Sequence, residues 1–297
     1  MKIANYRMKN EDTARLGILT EKGMIPLESL GLPAGDVPKD MIALIDNFDG
    51  LERPLQIALA QDDLLPVALE ETQLLTPIPY PRRNVFCLGK NYVEHAQEMK
   101  DVTGTSNDLP QYPIYFTKVA YPAMGPEDVL ENFQEITDTL DYEVELAVII
   151  GKKGKNIPAE DALDYIFGYT IGNDISVRNI QKQHMQWFKG KSFDTSCPIG
   201  PVIVTKEEIA FPPDLAIKST VNGEVRQESR TSKLIFDIPT ILSDLTQGIT
   251  LYPGDIILTG TPAGVGMGFH PPKTLKPGDE VCCEIEKIGK LVNYVAK

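Results

Sequence analysis

The chain has 297 residues, enough for one large domain or two modest ones with a substantial core. Hydrophobic residues make up 42% and charged residues 24%, an ordinary globular balance, but the net charge is −13. Such an acidic surface excludes nucleic acid and anionic membranes as partners, while a local cluster of metal, Arg and Lys could still hold a small anion.

The opening residues, Met1 to Tyr6, lack the apolar stretch of a secretory signal, and no apolar run approaches the roughly 20 residues of a membrane span. Cys87, Cys197, Cys282 and Cys283 show no CxxC spacing, and there are 3 His, a poor inventory for zinc. The expectation is a cytoplasmic protein with reduced, structural thiols.

In chain order, 3–8 and 15–20 read as strands, 21–23 as a turn, and 41–48 and 51–61 as short helices. Thr-Pro-Ile-Pro-Tyr-Pro at 76–81 suits an extended linker, so the expected division is a small N-terminal domain at 1–75 and a larger domain at 76–297. Beyond the linker, 84–88, 114–117, 142–150 and 169–173 read as strands and 92–99 as a helix. Asn222-Gly223 favours a tight type I′ turn, which makes 216–221 and 224–227 a hairpin. A helix at 238–246 ends at Gly248, and 281–286 with 291–295 forms a last hairpin. Strands dominate and βαβ alternation is poor, which predicts an α+β fold with a large mixed β core.

Glu143 and Glu145 interrupt the apolar run from Leu140 to Ile150. On a strand both point the same way, about 7 Å apart, where they repel and lose hydration unless a cation compensates them. A hard divalent ion taking oxygen ligands answers that, with Asp174, after the strand at 169–173, as third ligand. Mg²⁺ suits three carboxylates and Mn²⁺ is equally compatible. Each acid also has a bland reading, the pair as a solvated edge face and Asp174 as a turn or cap residue. His95 and Glu98, three apart on a helix, form either a general base with its orienting carboxylate or a chance surface pair. Lys189 or Lys191, among aromatics, could face an oxyanion or merely solvent. Arg178 and Gln181 are likewise three apart and could meet a carboxylate and a carbonyl. The glycine loop at 258–266 exposes backbone amides but is not a Walker loop, since no Gly-Lys-Ser/Thr follows.

Taken in order, Gly-x-Asn-Tyr-x-x-His at 89–95, Glu-x-Glu at 143–145, Asn-Asp-x-Ser-x-Arg at 173–178 and Lys-Ser-Phe-Asp at 191–194 resemble the fumarylacetoacetate hydrolase family. Val-Asn-Gly-Glu at 221–224 and Leu-Thr-Gly-Thr-Pro-x-Gly-Val-Gly at 258–266 continue the match. The resemblance covers about 81–297, and 1–75 look like the small N-terminal domain of some bacterial members. It implies a mixed β-roll, a homodimer, and Mg²⁺ or Mn²⁺ held by Glu143, Glu145 and Asp174. It also implies His95 and Glu98 as a catalytic dyad on a lid through 101–108, and Lys191 as the active-site lysine. Arg178, Gln181, Tyr92 and Thr261 would contact substrate. Lys90, at a position often apolar, and Asn179, where an acid commonly follows the motif arginine, depart from the pattern.

The implied reaction is metal-dependent hydrolysis of a C–C bond in a 2,4-diketo acid, an acylpyruvate or fumarylpyruvate, releasing pyruvate. His95 would activate water, and Lys191 with Gln181 would stabilise the oxyanion. Oxaloacetate decarboxylation and isomerisation or hydration of a 2-oxo-dienoic acid are alternatives on the same scaffold. A non-catalytic dicarboxylate-binding protein is the alternative outside enzymes.

Overall fold

The computed structural model describes residues 1–32, 37–61, 64–103 and 109–297, with 99–103 as backbone only. The chain opens as an antiparallel meander of β1 (Lys2–Met8), β2 (Arg15–Thr20) and β3 (Gly23–Pro26). α1 (Met41–Asp46) starts at Asp40, whose carboxylate accepts from Ala43 N at 2.8 Å, a standard helix cap. α2 (Phe48–Leu59) follows, burying Phe48, Leu51, Leu55 and Ala58, and β4 (Thr72–Leu75) returns antiparallel onto β1.

Next come β5 (Val85–Gly89), α3 (Val93–Thr103), β6 (Ile114–Lys118), β7 (Val129–Leu130), β8 (Leu140–Asp141) and β9 (Val144–Ile150). β10 (Ile166–Asn173), β11 (Ser176–Val177), α4 (Arg178–Gln183), α5 (Phe188–Lys191) and β12 (Ile199–Thr205) complete the middle of the chain. The last part holds β13 (Ala216–Val221), β14 (Glu224–Arg230), α6 (Ile238–Leu245), β15 (Ile256–Leu258), β16 (Glu280–Ile285) and β17 (Gly289–Val295). Asn222 (φ 50°) and Gly223 (φ 79°) make the left-handed turn between β13 and β14, as the Asn-Gly pair predicts.

Ten strands form the main sheet, in the order β3-β2-β1-β12-β10-β9-β15-β5-β6 with β4 branching from β1. Its described pairings are antiparallel except β5 with β15, so the sheet is mixed. A second sheet, β14-β13-β16-β17-β7, packs on one face. Along β9 the alternation divides the core. Val144, Leu146, Val148 and Ile150 join one cluster with Ile217, Leu291 and α6, whereas Ala147 and Ile149 join another with α1 and α2.

β1 pairs with β12 at Ile3 and Ile203, and Phe48 meets Phe167 edge-on at 4.8 Å. Segments 1–75 and 76–297 therefore share one sheet and one apolar cluster. The strands that escape the sequence reading include β4 and β12 and the two-residue strands β7, β8 and β11. The run Ile199–Thr205 is buried on both faces and lacks the polar alternation of a half-exposed strand. Of the stretch 101–108 expected as a lid, 101–103 continue α3 and 104–108 lie outside the described residues.

Candidate metal centre and active site

The break between β8 and β9 builds the site. Glu143 sits in that break, not within the strand as alternation implies, and every residue from Leu140 to Ile150 is buried. Asn173, at the end of β10, fixes the break. Its side-chain oxygen accepts from Glu143 N at 3.0 Å, and Asp174 N donates to Glu143 O at 2.9 Å. Ligand oxygens of Glu143, Glu145 and Asp174 thus converge within 4.8 Å of one another, all three residues buried.

Three buried cations surround the acids. Lys191 Nζ, at the end of α5, donates to Glu143 Oε2 at 2.8 Å and to Asp174 Oδ2 at 2.7 Å. Arg178 opens α4 and lies 2.7 Å from Glu143 Oε1 through Nη2, while its Nε donates to Asp141 Oδ2 at 2.8 Å. Its Nη1 donates to Gln181 Oε1 at 3.0 Å, which is what the three-residue spacing on α4 achieves. Lys118, fully buried at the end of β6, donates to Ile175 O at 2.9 Å and lies 2.6 Å from Asp174 Oδ1. It also donates to Lys191 O, tying the end of α5 to the turn that carries Asp174.

Burial acts against all these charges, and the partners decide who keeps one. Burial pushes the Glu143 carboxyl up, but Lys191 and Arg178 hold it below the usual carboxylate range. Burial opposes the Lys191 ammonium, and the charges of Asp174 and Glu143 more than restore it. Glu145 fares differently. Burial, then the charges of Asp174 and Glu143, push its carboxyl well above the usual range, although Gly260 N donates to its Oε2 at 2.6 Å.

This donor set fits a hard divalent cation. Three carboxylates aim oxygens at one point, and Asp174 Oδ1 has an ion-pair neighbour in Lys118 but no well-directed hydrogen bond. A cation beside Glu145 would supply the compensation its neighbours deny it.

Over the triad lies a cavity of about 30 Å³, lined by Leu88, Gly89, Lys90, His95, Phe116, Glu143, Arg178, Gln181, Trp187, Lys191 and Thr261. His95 is buried on α3, and its Nδ1 lies 3.2 Å from Glu98 Oε2. Glu98 Oε1 accepts from Gly264 N at 2.9 Å, so the glycine loop holds the carboxylate that holds the imidazole. Thr261 is fixed between Val144 O, to which it donates at 2.9 Å, and Gln227 Nε2, from which it accepts at 2.7 Å.

Of the ten residues singled out in the sequence, six line the cavity: His95, Glu143, Arg178, Gln181, Lys191 and Thr261. Glu98, Glu145 and Asp174 stand directly behind them. Tyr92 does not line it; its side chain is buried, and its backbone pairs with Leu234 in an isolated antiparallel bridge. Lys189 is exposed over the Phe193 ring, which leaves Lys191 as the lysine of the site.

Three residues escape sequence reasoning. Lys118 is the first. Asp141, fully buried, accepts from Tyr142 N, Gly266 N, Met267 N and Arg178 Nε. Gln227, also buried, bonds Val144 N, Ser219 Oγ, Thr261 Oγ1 and Pro262 O. The one signal for Asp141 was its place two residues before Glu143; Lys118 and Gln227 gave none.

Comparison with known proteins identifies a family. The oxaloacetate tautomerase YisK of Bacillus subtilis is 50% identical over 228 residues, 77% of this chain and 74% of that protein. The mitochondrial oxaloacetate tautomerase Fahd2a of Rattus norvegicus is 42% identical over 261 residues, 87% of this chain and 80% of that one. The maleylpyruvate hydrolase structure from Sphingobium sp. SYK-6, in complex with manganese (II) ion and pyruvate, superposes with a TM-score of 0.78 at 31% identity, covering 100% of this chain and 99% of that one. The family model for the fumarylacetoacetate (FAA) hydrolase C-terminal domain matches residues 84–296, which contain the triad, the dyad and the glycine loop. By that match and these relatives, the chain belongs to the fumarylacetoacetate hydrolase family.

Proposed function

We propose that this chain is a divalent-metal-dependent enzyme of small 2-oxo dicarboxylic acids, and that its reaction is keto–enol tautomerisation of oxaloacetate. The observation that carries this reading is the His95–Glu98 pair beside a cavity lined by His95 and Glu143, with Glu145 and Asp174 converging on Glu143 directly behind it. Glu143, Glu145 and Asp174 would hold Mg²⁺ or Mn²⁺. When bound, the ion supplies a Lewis acid that polarises the 2-oxo group and acidifies the neighbouring C–H.

The protein groups do the rest. Tautomerisation moves one proton between C3 and the 2-oxygen and breaks no carbon–carbon bond. Glu98 engages His95 Nδ1, which leaves Nε2 to hold the proton in transit. Lys191 donates toward the oxygen on which charge develops. Arg178 and Gln181, oriented by Asp141 and by each other, meet the substrate carboxylate. The aromatic wall of Phe116 and Trp187, in edge contact at 5.5 Å, keeps water from that oxygen.

Two relatives named as oxaloacetate tautomerases support this choice. Hydrolysis of an acylpyruvate is the second reading, because the same dyad can activate a water and a maleylpyruvate hydrolase shares the fold. The test is to follow enol-oxaloacetate, oxaloacetate decarboxylation and a panel of acylpyruvates with Mg²⁺, Mn²⁺ or EDTA. Metal-dependent loss of the enol without pyruvate release supports tautomerisation. Pyruvate from acylpyruvates with no effect on the enol would replace it with hydrolysis.

A further inference from the structure

One lining cation, Lys90, has no part in the mechanism above. It follows β5 with φ +54°, a left-handed conformation that glycine or asparagine adopts at lower cost than lysine. The turn around it is fixed on both sides. Asn91, fully buried, donates through Nδ2 to Thr259 O at 2.8 Å and Phe236 O at 3.0 Å, and accepts from Phe236 N at 2.8 Å. Gly89 lies against the indole, since a Cβ there would come within 2.2 Å of Trp187. The chain thus keeps a long cationic side chain at a strained, pinned position on the cavity wall.

We infer that Lys90 and Trp187 form the subsite for the distal carboxylate of a short 2-oxo dicarboxylic acid, Lys90 supplying the charge and Trp187 limiting the length. This rests on reading the cavity as a 2-oxo acid site. Lys90, Trp187 and Glu143 all border one cavity, so a ligand held beside Glu143 has the ammonium and the indole on the walls around it. Lys90 is half-buried, and burial lowers the pKa of its ammonium. A carboxylate reaching it would therefore meet a partly dehydrated partner, where a charge-assisted bond is stronger than on an open surface.

The test compares two ligands that differ by one carboxylate. Mg²⁺-saturated protein is titrated calorimetrically with malate, which carries the distal carboxylate, and with lactate, which does not. In the parent chain malate binds more tightly than lactate. Lys90→Met should weaken malate roughly 10- to 100-fold and leave lactate unchanged, while Lys90→Arg keeps the preference. Equal weakening of both ligands, or no change in either, overturns the subsite. The readout is binding and needs no turnover. A protein that discriminates through Lys90 yet leaves enol-oxaloacetate untouched would retire the proposed reaction and keep the subsite.

Discussion

Asp141→Asn removes one buried charge without changing shape, and the structure lets its cost be worked out. The carboxylate is 0% exposed and accepts four hydrogen bonds, at 2.9 Å from Tyr142 N, 2.6 Å from Gly266 N, 3.1 Å from Met267 N and 2.8 Å from Arg178 Nε. An asparagine amide can accept on one side only, so its NH₂ faces two donors whichever way it turns. Breaking a buried pair by removing one partner costs about 3–5 kcal/mol. The lower end applies, because Arg178 keeps its contact with Glu143 at 2.7 Å. With an unfolding entropy of about 2.1 cal/mol/K per residue over 297 residues, about 3 kcal/mol lowers Tm by about 5 °C. The same substitution frees Arg178 and the glycine loop, so KM for a 2-oxo acid should rise about tenfold, with a smaller change in kcat. Calorimetric melting and steady-state kinetics check both. A Tm within about 1 °C of the parent together with unchanged KM would refute the view that Asp141 orients Arg178.

Glu145→Gln keeps the Gly260 contact yet should weaken Mn²⁺ binding at least about 100-fold, since it removes one of three charged ligand groups; unchanged calorimetric affinity would take Glu145 out of the metal set. His95→Asn and Glu98→Gln should each lower kcat, the former by about 10²- to 10⁴-fold, while Mn²⁺ affinity stays within about twofold of the parent. Full activity in either would remove the proton-transfer role. The metal-free protein should lose stability as pH rises. Glu145 has a folded pKa above its unfolded value, so its contribution is complete below the unfolded pKa and is lost as pH climbs through the folded one. Glu143 shifts the opposite way, and its contribution persists above the ordinary carboxylate range, failing only as pH falls through its depressed folded value. In EDTA, Tm should therefore fall as pH climbs above the ordinary carboxylate range, and saturating Mg²⁺ or the Glu145→Gln change should flatten that slope; an unchanged slope in Glu145→Gln would rule Glu145 out as its source. Gly89→Ala should move the indole, since the new Cβ lies 2.2 Å from it, and Trp187 is the 1 tryptophan of the chain, so its emission reports the shift directly.

Where structure depends on neighbours in sequence, the sequence was legible. The Asn222-Gly223 hairpin, the helix α6 and the i, i+3 pairs on α3 and α4 are local consequences of backbone preference and helical spacing. Where it depends on pairing across the fold, legibility failed. β12 is sandwiched between β1 and β10, both faces covered, and a strand covered on both sides carries no alternation to read. The same covering removed the solvated face that alternation suggested for Glu143 and Glu145, since β10 and β15 flank β9 and apolar clusters close over both sides.

Glu143 and Glu145 were visible because two acids in an apolar run conflict with local chemistry, and Asp174 followed as the acid after the strand at 169–173, whereas the supports of the triad conflict with nothing. Lys118 ends an exposed-looking strand, Gln227 sits in a polar hairpin, and each reaches the site only through contacts with residues far along the chain. What these supports do is visible in the charge balance. Glu143, Glu145, Asp174 and Asp141 face Lys118, Lys191 and Arg178, four acids against three bases, all buried. The excess of one negative charge falls on Glu145, which burial and its acidic neighbours drive toward holding a proton. A divalent cation turns that deficit into a surplus of one positive charge once the proton leaves. An acidic chain thereby presents a positive floor to an anion, and loses it with the metal.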